Sequence, residues 1–127
     1  MGDKNISIGL FGFGCVGQGL YDVLNHSEGF KANISKICVK DKNKKRSIDA
    51  KYFTYDKEEI LKSNNLNVIV ELIDNSEEAF SIVKAAMSNG VSVVTANKKM
   101  LAEHFRELYH LQEKNNVALI YEGSAGG

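Results

Sequence analysis

Proline is missing from all 127 residues, against an average near 5%, so no proline-rich spacer divides the chain. Cysteine is scarce. Cys15 and Cys38 are the two present. They lie in or beside apolar runs without metal-ligand spacing, which argues against a zinc site or a disulfide framework and predicts two buried free thiols. Net charge is absent as well: 16 basic and 16 acidic residues cancel, so no global field draws the chain to nucleic acid or to an anionic membrane. No apolar run nears the ~20 residues of a membrane span. The opening MGDKN lacks a secretory apolar region. Together these absences predict a soluble, cytoplasmic protein with neither nucleic-acid nor membrane partners. The length suits one domain with one core. His26, His104 and His110 are scattered, the last two six apart and off the spacing of a helical metal pair; no metal site is expected.

The segment that is most informative spans residues 6–24, ISIGLFGFGCVGQGLYDVL. Ile6, Ile8, Leu10 and Phe11 predict a buried first strand, and Val16, Leu20, Val23 and Leu24 predict the inner face of a following helix. Between them stands GxGxxG, which makes Gly12, Phe13, Gly14, Cys15, Val16 and Gly17 candidate cofactor-binding residues. Alone the motif is weak. Placed between a strand and a helix it acquires a mechanism: Gly12 makes the tight turn, Gly14 lets a pyrophosphate reach the backbone, and Gly17 lets helix and strand pack closely. The helix's free N–H groups and positive dipole end then face the phosphates. The plain alternative is a glycine-rich turn that holds no ligand.

Strands and helices alternate through the rest of the chain. Residues 34–39 predict a second strand, 40–46 a lysine-rich loop, and 52–55 a short third strand. Asp56 caps a helix over 57–63, and 66–73 is a buried strand. Asn75 with Glu78 forms a capping box for a helix over 76–89, with Ala79, Phe80, Val83, Ala86 and Met87 on one face and Gly90 closing it. A strand over 91–95, a helix over 98–115 with Leu101, Phe105, Leu108 and Leu111 inward, and a strand over 117–121 complete the pattern. This order predicts an α/β fold: a doubly wound, mainly parallel Rossmann-type sheet in a single domain.

In such sheets ligands bind beyond the carboxyl ends of the strands, where strand order reverses. Those ends carry Gly12 to Gly17, Lys40 and Asp41, Asp74 and Asn75, Thr95 to Lys98, and residues 122–127. Asp41 stands roughly 20 residues past the glycines, where a carboxylate accepts bonds from the ribose hydroxyls of NAD. Lys40, Lys42, Lys44, Lys45 and Arg46 surround it. Cations there suit the 2′-phosphate of NADP, which slightly favours NADP over NAD. A solvated loop explains the same lysines equally well.

GFGCVGQG at 12–19, Val39 to Asp41, Val70 to Leu72, VTANKKMLA at 94–102 and YEGSAGG at 121–127 occur in the order seen in homoserine dehydrogenase. The chain resembles the NAD(P)-binding domain of that family along essentially its whole length. TANKKMLA after a strand, followed by EGSAGG, is the specific part. The resemblance implies NAD(P)-dependent interconversion of L-homoserine and L-aspartate 4-semialdehyde, in the pathway from aspartate to threonine and methionine. It also implies that residues 1–127 are a truncated domain, that a substrate-binding and dimerising region follows, and that the full-length enzyme is a homo-oligomer. The small amino-acid substrate then binds only with that region.

Residue by residue, the resemblance makes Lys98 the catalytic candidate, near the nicotinamide. Its position at a helix start supports this, because a cation there opposes the helix dipole and asks for a reason; its ammonium suits a substrate oxygen and proton transfer. Thr95, Ala96 and Asn97 would line the nicotinamide end. Glu122, Ala125 and Gly127 match positions that hold a monovalent cation in some members, but one carboxylate makes a weak site and no metal is assigned. Where the family commonly has two glycines, this chain has Asp74 and Asn75, whose side chains approach the cofactor. Two other readings fit the residues: a related aspartate dehydrogenase-like nucleotide domain, and a stand-alone dinucleotide-sensing module.

Overall fold

The computed structural model of the chain describes residues 6–13, 32–40 and 49–121. The helix predicted after the glycine motif lies outside the described residues, as do Gly14, Cys15, Val16, Gly17, residues 41–46 with Asp41, and residues 122–127.

Among the described residues, strands β1 (Ile6–Phe11), β2 (Ala32–Cys38), β3 (Phe53–Thr54), β4 (Val68–Glu71), β5 (Ser92–Thr95) and β6 (Leu119–Tyr121) form one sheet. Its order is β3-β2-β1-β4-β5-β6, and every neighbouring pair is parallel. This is the doubly wound arrangement, in which the chain leaves the β3 edge and returns beside β1, so order reverses between β1 and β4.

Period-2 alternation explains the two cores. Ile8 and Leu10 point to one face and pack with Ile34, Ile37 and Val70. Phe11 points to the other and packs with Ile69, Val83 and Met87. Parallel strands are buried on both faces, and near-continuous apolar runs result. Gly9 faces the second core because a Cβ there would stand 2.6 Å from Ile60 Cγ2 and 2.8 Å from Leu66 Cδ1. The missing side chain lets the following layer close down on β1.

That layer comprises α1 (Lys57–Leu61), α2 (Ser76–Ser88) and α3 (Lys98–Asn115). Each begins with an Asx cap: Asp56 accepts from the Glu58 N–H, Asn75 from that of Glu78, and Asn97 from that of Met100. Gly90, at φ +79°, follows α2, and Asn116, at φ +50°, ends α3. Among the described residues no helix is long and apolar enough to cross a membrane.

Several expectations are corrected. The predicted strand 52–55 shrinks to Phe53–Thr54, because a 3₁₀ turn, Ala50–Tyr52, capped by the Asp49 carboxylate, takes Tyr52. Ile6 is 41% exposed at the start of β1, and Cys38 is half-buried rather than buried. Helical periodicity places Phe105 inward, yet it is 63% exposed, while Met100 and Leu108 are buried. The inward position between them belongs to His104, where the helix bends out of helical geometry (φ −123°, ψ 22°). Its ring stacks on Phe80 at 3.7 Å between centroids and 7° between planes. Counting apolar residues alone passes over a histidine that packs by its ring face.

Candidate functional site

The glycine turn is locked on both sides. Gly12 N–H donates to Cys38 O of β2 at 2.9 Å, and Leu72 N–H, just past β4, donates to Phe11 O at 2.8 Å. Gly12 adopts φ +94°, and a Cβ on it would stand 3.0 Å from Leu72 O. Both facts favour glycine. Its neighbour Phe13 is 9% exposed and packs edge-on against Phe53, with centroids 5.4 Å apart. Phe13 therefore anchors the turn to the first core.

Beyond these strand ends opens a cleft of about 310 Å³, lined by Gly12, Val39, Lys40, Asp74, Asn75 and Glu78, among others. It brings together four of the sequence candidates, Gly12, Lys40, Asp74 and Asn75, from the ends of β1, β2 and β4. Asn75 spends its side-chain oxygen on the cap, accepting from Glu78 N–H at 2.9 Å, while Asp74 is exposed. Glu78 forms an ion pair with Lys40. Lys57 also lines the cleft. The Cys38 thiol is pushed up, first by burial and then by the Glu78 charge.

The remaining described candidates gather one strand further along. Thr95 is fully buried and Asn97 is 8% exposed. Their side chains belong to a bracket that joins the ends of β4 and β5. Thr95 Oγ1 donates to Glu71 Oε1 at 2.5 Å and accepts from Asn97 N–H at 3.0 Å. Asn97 Nδ2 donates to Ile73 O at 2.9 Å, and its Oδ1 accepts from Met100 N–H at 2.9 Å. Glu71 Oε2 accepts from Ile73 N–H at 2.6 Å. Ala96 N–H donates to Glu71 O at 3.2 Å. The side chains of Thr95 and Asn97 are thus consumed inside the protein. Lys98 is the exposed first residue of α3, directly after the bracket.

Glu71 is the member that sequence analysis missed. It is fully buried, and burial pushes its carboxyl up while the Thr95 and Ile73 hydrogen bonds pull it down. The signal was available, since a charged residue inside the apolar run 66–73 must find partners when the strand is buried on both faces.

The family described as homoserine dehydrogenase, NAD binding domain, matches residues 12–122. The chain belongs to this family. Curated homoserine dehydrogenases are similar to it along nearly its whole length. The one from Lactococcus lactis is 34% identical over 96% of this chain and 31% of its own length. The Neisseria gonorrhoeae protein is 36% identical over 98% of this chain and 30% of its own. The chain thus spans less than a third of the length of these relatives. Among solved structures, an S. aureus homoserine dehydrogenase crystal structure at pH 7.0 superposes with a TM-score of 0.85 at 34% identity, over 94% of this chain and 33% of that one. The homoserine dehydrogenase NAD-binding fold therefore accounts for the described strand order.

Proposed function

We propose that the chain is the dinucleotide-binding part of an oxidoreductase that interconverts L-homoserine and L-aspartate 4-semialdehyde with NAD(P)(H), in the cytoplasmic route to threonine and methionine. The observation that carries this is the cleft at the carboxyl ends of β1 and β4, where strand order reverses, in a chain that the homoserine dehydrogenase family matches over residues 12–122. The residues suit such a group: a glycine turn whose Cβ space is closed, a cation at the end of β2, and polar strand ends.

In this proposal the Gly12 turn, with Gly14, Cys15, Val16 and Gly17, takes the pyrophosphate on backbone donors. Lys40 and Asp41 take the adenosine ribose, and Lys40 favours NADP over NAD by offering a 2′-phosphate a charge-assisted donor. Asp74 and Asn75 border the same cleft. Thr95, Ala96 and Asn97 shape the nicotinamide end through the backbone that their side chains brace. Bound nicotinamide supplies the hydride donor or acceptor. Lys98 holds the substrate oxygen and handles its proton, in an assembly that includes a substrate-binding region and more than one subunit.

Calorimetric titration of the chain with NADP⁺ and NAD⁺ tests the binding step. Saturable binding of either supports the proposal, and absence of binding at millimolar nucleotide overturns it.

A further inference from the structure

The Asn75 and Glu78 spacing predicts a reciprocal capping box, but only half of it forms. Asn75 Oδ1 caps the Glu78 N–H, while the Glu78 carboxylate pairs with Lys40 instead. Lys40 follows β2, and Glu78 lies in the first turn of α2, which follows β4. In the sheet, β1 lies between those two strands. The ion pair therefore reaches from one side of β1 to the other, and both partners line the cleft together with Gly12.

We infer that Glu78 is a specificity-determining residue of this cleft: its carboxylate competes with a cofactor 2′-phosphate for Lys40 and lowers the preference for NADP over NAD. The inference rests on the dinucleotide proposal above. A phosphomonoester entering beside Lys40 must displace one anion and then face it, and that competition and repulsion both disfavour NADP. A ribose that lacks the phosphate presents hydroxyl donors, which a carboxylate accepts. The charges around the cleft agree, since Lys40 and Lys57 stand against Asp74 and Glu78. The Lys40 side chain is 75% exposed and that of Glu78 is 29% exposed. A pair so open to solvent is weak, so Glu78 grades the preference rather than blocking the phosphate. Its negative charge is already felt across β1, at the Cys38 thiol.

The test is titration of the wild-type chain, Glu78→Gln, Lys40→Gln and the double variant with NADP⁺ and NAD⁺, and with 2′,5′-ADP against 5′-AMP. Glu78→Gln is expected to raise the NADP to NAD affinity ratio by roughly two- to fivefold, the size of a single charge interaction this open to solvent. Lys40→Gln should lower the ratio, and in that background Glu78→Gln should have a smaller effect. Glu78→Ala, measured in the same way with circular dichroism of each variant, guards against a fault peculiar to glutamine in α2. A ratio unchanged in both Glu78 variants, with wild type binding both nucleotides, overturns this inference alone. Wild type binding neither nucleotide overturns the dinucleotide proposal, and this inference with it.

Discussion

Thr95 donates its hydroxyl proton to the buried carboxylate of Glu71, 2.5 Å away, and the same oxygen accepts the Asn97 N–H. One hydroxyl thereby ties the end of β4 to the N-cap of α3, the helix that begins with Lys98. Strand ends in this fold carry the ligand, so their backbone must be held by something other than the ligand itself. Here that something is an acid with no solvent exposure.

Stability should carry the signature of that acid. Burial raises the Glu71 carboxyl above its unfolded value, so between the two values the native state holds more protons than the unfolded chain. The contribution of Glu71 is then fully present below the ordinary glutamate value, about 4.3, and is lost as pH rises through the raised native one. Urea unfolding across that window should show Glu71→Gln with a shallower fall in stability than wild type. Parallel pH profiles would show that the carboxyl does not titrate in this way.

Gly12 and Gly14 should fail differently. Gly12→Ala places a Cβ 3.0 Å from Leu72 O at φ +94°, so it should destabilise the fold by about 1–3 kcal/mol in denaturant titration. Gly14→Val, at the position the motif reserves for pyrophosphate, should abolish nucleotide binding by calorimetry while circular dichroism stays unchanged. Equal affinity in the Gly14 variant would count against the motif.

The two asparagine caps give a graded comparison. Asn75 is exposed and caps α2 alone, whereas Asn97 is buried and also donates to Ile73 O. Asn75→Ala should cost about 1 kcal/mol. Asn97→Ala should cost about 2 kcal/mol or more, because the Ile73 carbonyl also loses its partner. Thermal midpoints in the reverse order would show that the bracket contributes little.

Lys98→Ala, made in a full-length enzyme containing this domain, should lower kcat by roughly 10² to 10⁴, the range of a general acid or base. Cofactor affinity should change little. Normal turnover with weakened NADP binding would move Lys98 from the chemistry to the cofactor.

The local rules of the chain were enough to determine most of the architecture. Period-2 runs, Asx caps at residues 56 and 75, Gly90 and the glycine turn all act over a few neighbouring residues, so the parallel sheet and the extent of α3 are legible in the sequence. Which polar side chains remain for a ligand is decided elsewhere. Glu71 meets Thr95 across 24 residues and Lys40 meets Glu78 across 38, and those meetings exist only because the sheet order sets β2, β1, β4 and β5 side by side. Phe105 leaves its expected inward place where the helix bends at His104, whose ring stacks on Phe80 of a facing helix. Periodicity marks the face of an element; the partner across the interface decides how each side chain on that face is used.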